Sequence, residues 1–252
     1  MESIRILGAR IDAIGREDAL ARIVALAHGD SPSALVVTIG TEMVMSARRD
    51  TAFRAAIAGA ALSLCDTIGL LLVSRLRGGP LRERVTGVEL VDDLAARSAR
   101  DGLRLYFIGS RDDVALTAAA RLRERYPNAV IAGARNGYFS PEQSEAIAVD
   151  IRLSGANVLL AGLGSPKQEL WLERWLPATG ARVGIGVGGS FDVVAGVVAR
   201  APERWQRMGL EWLYRLVREP NRWRRQLALP HFAILALAET LGGVLETRRR
   251  RV

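Results

Sequence analysis

The sequence predicts an α/β fold: a Rossmann-like, mostly parallel sheet with helices on both faces, followed by a helical C-terminal appendage. Up to about position 187, short apolar runs alternate with longer segments of helical pattern, which is typical of parallel sheets. Beyond Arg200 the pattern is purely helical. With 252 residues, 49% of them hydrophobic, the chain can form a substantial core. We therefore expect an α/β core over residues 1–199 and a basic helical appendage over residues 200–252.

Individual elements are predicted from the hydrophobic pattern and from the positions of glycine and proline. Residues 4–14 have the pattern of a hairpin, and the apolar run ALVVT at 34–38 has that of a buried strand. One or two helices then extend to about position 59. Further strands are expected over residues 61–65, 103–108, 129–132, 157–161 and 182–187. Further helices are expected over residues 16–28, 88–100, 112–126, 141–153 and 168–175.

Two apolar stretches raise the question of a membrane span. Residues 55–76 carry a single charge, Asp66, before Arg75. A central Asp would cost a membrane helix ~3 kcal/mol, so a buried strand, a loop and a buried helix explain this stretch better. Residues 227–245 include a proline, a histidine and a glutamate, which makes them a poor span. They fit either an interfacial helix or a helix packed on the core.

Polar residues and glycines stand where the predicted strands end. Thr38, Asp66, Gly164 and Gly188 should meet at the carboxyl edge of the sheet, where such folds bind ligands. Asp66 lies between two apolar segments, and poor solvation would raise its pKa and make it a better proton acceptor. The alternative is an N-cap for the helix that begins near Thr67, and spacing alone favours the cap.

Basic residues are concentrated at the C-terminus. Residues 200–252 contain 12 Arg and 5 Glu, a net charge of +7 out of +8 for the whole chain. Such a cluster fits phosphate-bearing partners, namely anionic lipids, nucleotide diphosphates or nucleic acid, although a solvated face is the alternative. The glycine-rich segment 184–192, GIGVGGSFD, would bring backbone N–H groups close to an anion. Together these features suggest a diphosphate covered by arginines.

Rare residue types and missing motifs limit the kinds of chemistry that the protein can carry out. Lys167 is the only lysine among 35 basic residues, which hints that a compact ammonium group is needed there. A single cysteine, Cys65, and an N-terminus unlike a signal peptide favour the cytoplasm. The sequence has no Walker loop, no metal-type spacing of His and Cys and no Asp-x-Asp pair, so we expect neither a metal nor a cofactor. His28 and His231 lie near no motif and are expected to be structural.

A set of motifs occurs in one order along the chain. They are Thr38, Glu42, Asp66, ERVTG at 83–87, GSPKQE at 164–169, GVGGSFD at 186–192, RAP at 200–202 and GLEWLYRL at 209–216. This set resembles the WecG/TagA/CpsF glycosyltransferases, glycosyltransferase family 26, over about residues 4–226. The resemblance implies an inverting, metal-independent enzyme of bacterial cell-surface polysaccharide synthesis, for example of exopolysaccharide. It would move a sugar from a UDP-sugar to a polyprenyl-diphosphate-linked saccharide.

The resemblance also implies a location and partners. The protein would be peripheral on the inner face of the cytoplasmic membrane, where the appendage would bind anionic lipid and close over the donor. No nucleic acid partner is expected. The sequence names neither sugar, leaves exopolysaccharide, an enterobacterial-type antigen and wall teichoic acid all open, and does not fix the oligomeric state.

Site residues follow from the resemblance by position. Asp66 would be the general base that deprotonates the acceptor hydroxyl, in a reaction centre lined by Thr38, Arg84 and Gln168. The lysine motif would contribute Gly164, Pro166 and Lys167 to the donor site. The uridine and ribose would be held by Tyr138, Gly186, Val187, Gly188, Gly189 and Asp192. The diphosphate would be met by Arg215, Arg222 and Arg225, because without a metal the leaving group needs guanidinium and N–H donors.

Two positions depart from the family's usual pattern. The family usually has Asn two positions after the threonine, where this chain has Gly40. It usually frames its aspartate as Ala-Asp-Gly, where this chain has Cys65 and Thr67 on either side of Asp66. The base is present, so activity is expected, with donor and acceptor sugars that differ from those of the best-known members.

Two rival functions are carried forward. A dinucleotide-dependent oxidoreductase could use the glycines at 184–189, but a lone Gly-x-Gly pattern is weak evidence. Binding of NAD, and not of UDP, would favour it. A non-catalytic module that binds anionic membranes or nucleic acid could use the basic tail alone. Such a module would be indifferent to replacement of Asp66.

Overall fold

The computed structural model of the protein describes residues 1–30, 32–208, 210–218 and 227–249. It begins with an antiparallel hairpin of β1 (Ser3–Ile6) and β2 (Ala9–Asp12), as predicted. Leu7 and Gly8 form its turn at φ values of 50° and 86°, which is the left-handed geometry that tight hairpins require. Asp12 fastens the hairpin to the sheet, because its Oδ2 accepts the Ser63 N–H at 2.8 Å.

A parallel sheet forms the centre of the molecule. Its strands are β3 (Ala34–Ile39), β4 (Leu62–Cys65), β5 (Leu105–Gly109), β6 (Ile131–Arg135), β7 (Val158–Gly162) and β8 (Val183–Gly186). The spatial order is β4-β3-β8-β7-β5-β6, and every neighbouring pair is parallel. The predicted Rossmann-like fold class is confirmed. Because β4 and β5 follow each other in sequence but lie on opposite sides of β3, β8 and β7, a crevice opens at their carboxyl ends.

Helices cover both faces of this sheet. In chain order they are α1 (Arg16–His28), α2 (Thr41–Ala47), α3 (Thr51–Gly59), α4 (Ile68–Leu76), α5 (Gly87–Arg97), α6 (Val114–Arg125), α7 (Ser144–Ser154), α8 (Lys167–Trp175) and α9 (Ser190–Val194). The bounds of α1 agree with the prediction residue for residue. The helix predicted over 141–153 starts instead with a 3-10 turn at Pro141–Gln143, because proline fits the first turn of a helix.

Side chains of the central strands alternate between two apolar layers. Leu105 and Phe107 face the layer that contains α1, α5 and α6, whereas Tyr106 and Ile108 face the layer under α7 and α8. The Phe107 ring stacks on Phe191 with 5.0 Å between centroids, a contact worth ~0.5–1.5 kcal/mol beyond burial. This stack packs α9, and the glycine turn before it, against the sheet.

Three helices follow residue 200 in the described part of the chain: α10 (Glu203–Arg207), α11 (Glu211–Arg218) and α12 (Ala228–Arg249). On α12, Phe232 and Ala236 are only 3% and 1% exposed and share an apolar cluster with Met43 and Leu70. One face of α12 is therefore packed on the core, as one of the two sequence interpretations proposed. Among the described residues no helix is long and apolar enough to cross a bilayer.

Arg77, at the end of α4, links α12 to the core. Its guanidinium donates to Glu239 Oε2 at 2.7 Å, to Thr240 Oγ1 at 2.8 Å and to the Ala236 carbonyl at 3.1 Å. Glu239 also accepts the N–H of Leu7, in the hairpin turn, at 3.0 Å. The arginine side chain is 15% exposed, so these charge-assisted bonds are shielded from water more than most surface ion pairs.

Candidate active site

A cavity of about 1210 Å³ opens at the carboxyl edge of the sheet. The ends of β3, β4, β7 and β8 form its floor, and α2, α4, α11 and α12 contribute its walls. Thr38, Asp66, Gly164 and Gly188 all line it, as the strand-end argument predicted. Its volume exceeds the ~300–1,000 Å³ of usual small-molecule pockets.

Asp66 follows β4 directly. Its N–H donates to the Ile39 carbonyl at 3.0 Å, which continues the β3–β4 ladder by one step. Its Oδ1 accepts the N–H of Gly87, the first residue of α5, at 3.3 Å. The N-cap of α4 is Thr67 and not Asp66. The Asp66 carboxylate lies instead on the cavity floor, where it also holds the start of α5.

Cys65 and Arg84 flank this carboxylate. Burial raises the pKa of the Cys65 thiol to about 12; the Asp66 carboxylate adds to this rise and the Arg84 guanidinium opposes it. The thiol therefore stays protonated at neutral pH and is a poor nucleophile. Arg84 Nη1 lies 3.7 Å from Glu211 Oε2, and its Nη2 donates to the Gln206 carbonyl at 3.4 Å. Arg84 thereby joins the cavity floor to α10 and α11.

Thr38 and Gln168 hold the two neighbouring strand ends in place. The Thr38 hydroxyl donates to the Gly186 carbonyl at 2.8 Å across the β3–β8 pair. Gln168 Oε1 accepts the N–H of Gly188 at 3.1 Å, and its Nε2 donates to Glu169 Oε1 at 2.6 Å. These two bonds fix the planar amide of Gln168 in one orientation. They also fix the direction of the second N–H bond on Nε2.

Glu169, the last residue of the GSPKQE motif, is a buried carboxyl to which the sequence analysis gave no role. It is 0% exposed, and burial raises its pKa, although the bond from Gln168 opposes that rise. The Ser165 side chain also acts to lower the pKa of this carboxyl. Gly186 has to be a glycine beside it, because a Cβ there would lie 2.7 Å from Gln168 Nε2 and 2.9 Å from Glu169 Oε1.

The glycine turn after β8 offers fewer free N–H groups than the sequence suggested. Val187 N–H donates to the Ala161 carbonyl, Gly188 N–H to Gln168, and Ser190 N–H to the Val187 carbonyl. The helix that follows, α9, has only five residues. Val187, Gly188 and Gly189 line the cavity, so the turn contributes mainly shape and close backbone approach to a ligand.

A second group of predicted site residues lies beside the cavity, where the loops after β5 and β6 meet α8 and α9. Lys167 Nζ donates to the Gly137 carbonyl at 3.4 Å and lies 5.0 Å from the centre of the Phe139 ring. Asp192 Oδ2 accepts the Ser110 hydroxyl at 3.2 Å, and Tyr138 is 76% exposed. Sequence reasoning missed Ser110, which holds the left-handed φ of 53° just after β5.

The predicted site residues thus separate into three sets. Those that line the cavity are Thr38, Asp66, Arg84, Gly164, Gln168, Val187, Gly188 and Gly189. Those beside it are Tyr138, Pro166, Lys167, Gly186 and Asp192. Of the three arginines, Arg215 lies on α11 with only its backbone described, while Arg222 and Arg225 fall outside the described residues.

The cavity also contains residues that sequence reasoning left out. Glu211 and Trp212, at the start of α11, line it, and Trp212 is 39% exposed. Both belong to the GLEWLYRL motif, which was the available signal. His231, predicted to be structural, lines the cavity from α12. Among the residues that the structure describes, no group of three or more His, Cys, Asp or Glu side chains is arranged to hold a metal.

Comparison with known proteins places these features in a family. The model of the glycosyl transferase WecG/TagA/CpsF family matches residues 4–244. This range includes the whole sheet, the cavity floor and most of α12. The resemblance first noted in the ordered motifs is confirmed over nearly the whole chain. The protein belongs to the WecG/TagA/CpsF family of glycosyltransferases.

Proposed function

We propose that the protein is an inverting transferase that moves a sugar from a UDP-sugar to a polyprenyl-diphosphate-linked saccharide, without a metal. Family membership establishes the glycosyltransferase activity. The observation that carries the finer proposal is the position of Asp66, on the floor of a cavity with one polar and one apolar side. The polar side holds the turn after β8, and the apolar side is built mainly by α4 and α12.

Asp66 is the general base in this proposal. As the acceptor oxygen attacks the anomeric carbon, its proton passes to the Asp66 carboxylate, and the bond from that carbon to the UDP oxygen breaks. The new bond forms on the opposite face of the sugar, so its configuration inverts. The bond from the Gly87 N–H to Oδ1 orients the carboxylate that receives the proton. Water then removes the proton from Asp66.

The donor site in this proposal adjoins the loops after β5, β6 and β8. Asp192 and Ser110 offer oxygens for the ribose hydroxyls, and the exposed Tyr138 ring offers a face for the uracil. Arg84 lines the cavity together with Asp66. Its guanidinium, together with the arginines of the appendage, stabilises the negative charge that develops on the leaving UDP.

The acceptor lies on the apolar side, next to the membrane. Exposed leucines on two adjacent helices support this placement: Leu72 and Leu76 on α4 are 54% and 64% exposed, and Leu237 and Leu241 on α12 are 48% and 56% exposed. Leu72, Leu76 and Leu237 also line the cavity, so the exposed leucines adjoin its mouth. A polyprenyl chain can lie along these leucines while its sugar reaches Asp66. We infer that in the cell the protein acts at the cytoplasmic face of the membrane.

Calorimetric titration with UDP, with and without EDTA, is the first test. Binding that EDTA does not change supports the UDP-sugar transferase and justifies a screen of donor sugars. Titration with NAD in parallel tests the oxidoreductase alternative. Binding of NAD with no binding of UDP would overturn the proposed donor.

A further inference from the structure

We propose that Gly40 and Thr67 form a coupled pair that sets the room beside Asp66 for the acceptor sugar. The inference rests on the proposed function for its substrate, and on the geometry of two neighbouring strand ends for the coupling. Gly40 is the first residue after β3, and Thr67 is the second residue after β4. Both residues line the cavity. These are also two positions at which the sequence departs from the usual family pattern.

The first step is steric. A Cβ built on Gly40 would lie 3.0 Å from Thr67 Cγ2, tighter than nearly all real Cβ contacts. The backbone of Gly40, with φ −114° and ψ 169°, is an extended conformation that any residue can adopt. The need for glycine at this position therefore comes from Thr67 and not from the backbone.

The second step explains why Thr67 does not simply rotate away. Its Oγ1 accepts the N–H of Thr41, the first residue of α2, at 3.2 Å. This bond supplies one of the caps that a helix N-terminus needs, and α2 receives no side-chain cap from its own N-cap residue, Gly40. Turning Thr67 to make room for a larger residue 40 would leave the Thr41 N–H without this partner.

The third step identifies the substrate. Gly40 and Thr67 lie at the β3–β4 end of the cavity, whereas the proposed donor residues lie at the β5–β7–β8 end. Thr41, Gly69 and Phe232 surround the same corner: a Cβ on Gly69 would lie 2.7 Å from Thr41 Cγ2 and 3.7 Å from the Phe232 ring. The Thr67 methyl group, which takes up the space beside Gly40, is thus on the acceptor side of Asp66. The Thr67 hydroxyl, which accepts from Thr41, still has its own proton to donate to a sugar oxygen.

The test uses a double-mutant cycle of Gly40→Ala and Thr67→Ser. The alanine adds only the Cβ, and the serine keeps the capping oxygen while it removes the methyl group that the Cβ would meet. We expect Gly40→Ala alone to lower Tm by about 2–4 °C or more, and the double variant to recover most of this loss. Gly59→Ala is the matched control, because nothing lies within 4 Å of a Cβ there, and its Tm should not fall.

The functional readout separates donor from acceptor. In the double variant the corner is altered but the fold is intact, so the KM for the acceptor should change on the order of tenfold, while the Kd for UDP stays as in the wild type. Additive changes in Tm would overturn the coupling, whether or not the protein transfers sugar. Coupled changes in Tm with an unchanged acceptor KM would overturn the role in selectivity. A wild type that binds no UDP would instead refute the proposed function and leave the Tm cycle as the measure of the coupling.

Discussion

The carboxyl edge of the sheet and the helices after residue 200 are held together in different ways. At the edge, polar groups bond to their nearest neighbours in the core: Thr38 to Gly186, and Gln168 to both Gly188 and Glu169. The helices after residue 200 are joined to the core by long side chains that reach out from it, above all Arg77 and Arg84. The floor of the cavity is thus formed by the core, and the helices after residue 200 form a cover that adds walls to it.

This difference predicts two kinds of variant. Changes at the edge should affect the chemical step, with little effect on how the cover is held. Changes at the Arg77 link should affect the stability and position of the cover, with less effect on the chemistry, whereas Arg84 belongs to both regions. The following experiments, in order of expected effect, test that separation.

Asp66→Asn should have the largest effect. The amide keeps the size of the side chain but cannot take the acceptor proton, so transfer should fall by about 10²–10⁴-fold. Binding of UDP should persist, because Asp66 acts on the acceptor in this mechanism. Kinetics and calorimetry on one preparation check both statements, with Asp150→Asn, an exposed carboxylate on α7, as the control. Loss of UDP binding together with transfer would show that Asp66 belongs to the donor site.

Glu169→Leu should reduce transfer by roughly 3- to 10-fold, because it removes the bond that orients the Gln168 amide and a hydrogen bond contributes about 0.5–1.5 kcal/mol. The leucine frees the Gln168 amide, so hydrogen exchange at the Gly188 N–H should accelerate, while exchange at the Val187 N–H, bonded to Ala161, stays slow. Glu169→Gln keeps an acceptor oxygen and should restore most activity. Unchanged exchange at Gly188 would contradict this account of the edge.

Arg77→Met should act on stability more than on chemistry. It removes the bonds to Glu239, Thr240 and the Ala236 carbonyl, at a cost of about 1–3 kcal/mol, which corresponds to several degrees in Tm. Arg100→Met is the matched control, because Arg100 is 70% exposed and pairs with its neighbour Asp101; its Tm should hardly change. Equal Tm values for the two variants would show that packing of Phe232 alone holds α12.

The smallest expected effect is a pH dependence at the start of the appendage. Burial acts to raise the pKa of Glu89, but hydrogen bonds from Thr86 and Arg200 outweigh it, so the pKa lies below its usual value. A carboxylate with a lowered folded-state pKa stabilises the protein above its unfolded-state pKa and loses this contribution as the pH falls. Glu89→Gln should therefore lower Tm at pH 7, and the difference from the wild type should shrink below pH ~4. A difference that stays constant with pH would exclude the charge as its cause.

Much of the core could be predicted because its signals are local. The apolar run at 34–38 and the helix at 16–28 depend on patterns a few residues long, and parallel strands bring Thr38, Asp66, Gly164 and Gly188 to one edge. Topology alone therefore predicts a ligand site at this edge.

What the sequence could not supply were contacts between distant segments. From the glycine pattern alone, the Gly188 N–H was expected to bind a ligand. In the structure it donates to Gln168 Oε1 instead. The burial of Phe232 depends on Met43 and Leu70, which lie more than 150 positions earlier in the chain. The burial of Glu169 could not be predicted from the sequence, because an acidic residue in the first turn of a helix is usually exposed.

The sole cysteine has a practical consequence for spectroscopy. Cys65 is 2% exposed and its thiol remains protonated, so maleimide reagents should leave the native protein unlabelled. A cysteine introduced at Leu241, which is 56% exposed on α12, would then be the only reactive thiol. A fluorophore or spin label at that position would report how deeply α12 enters a vesicle, without a background from elsewhere in the chain.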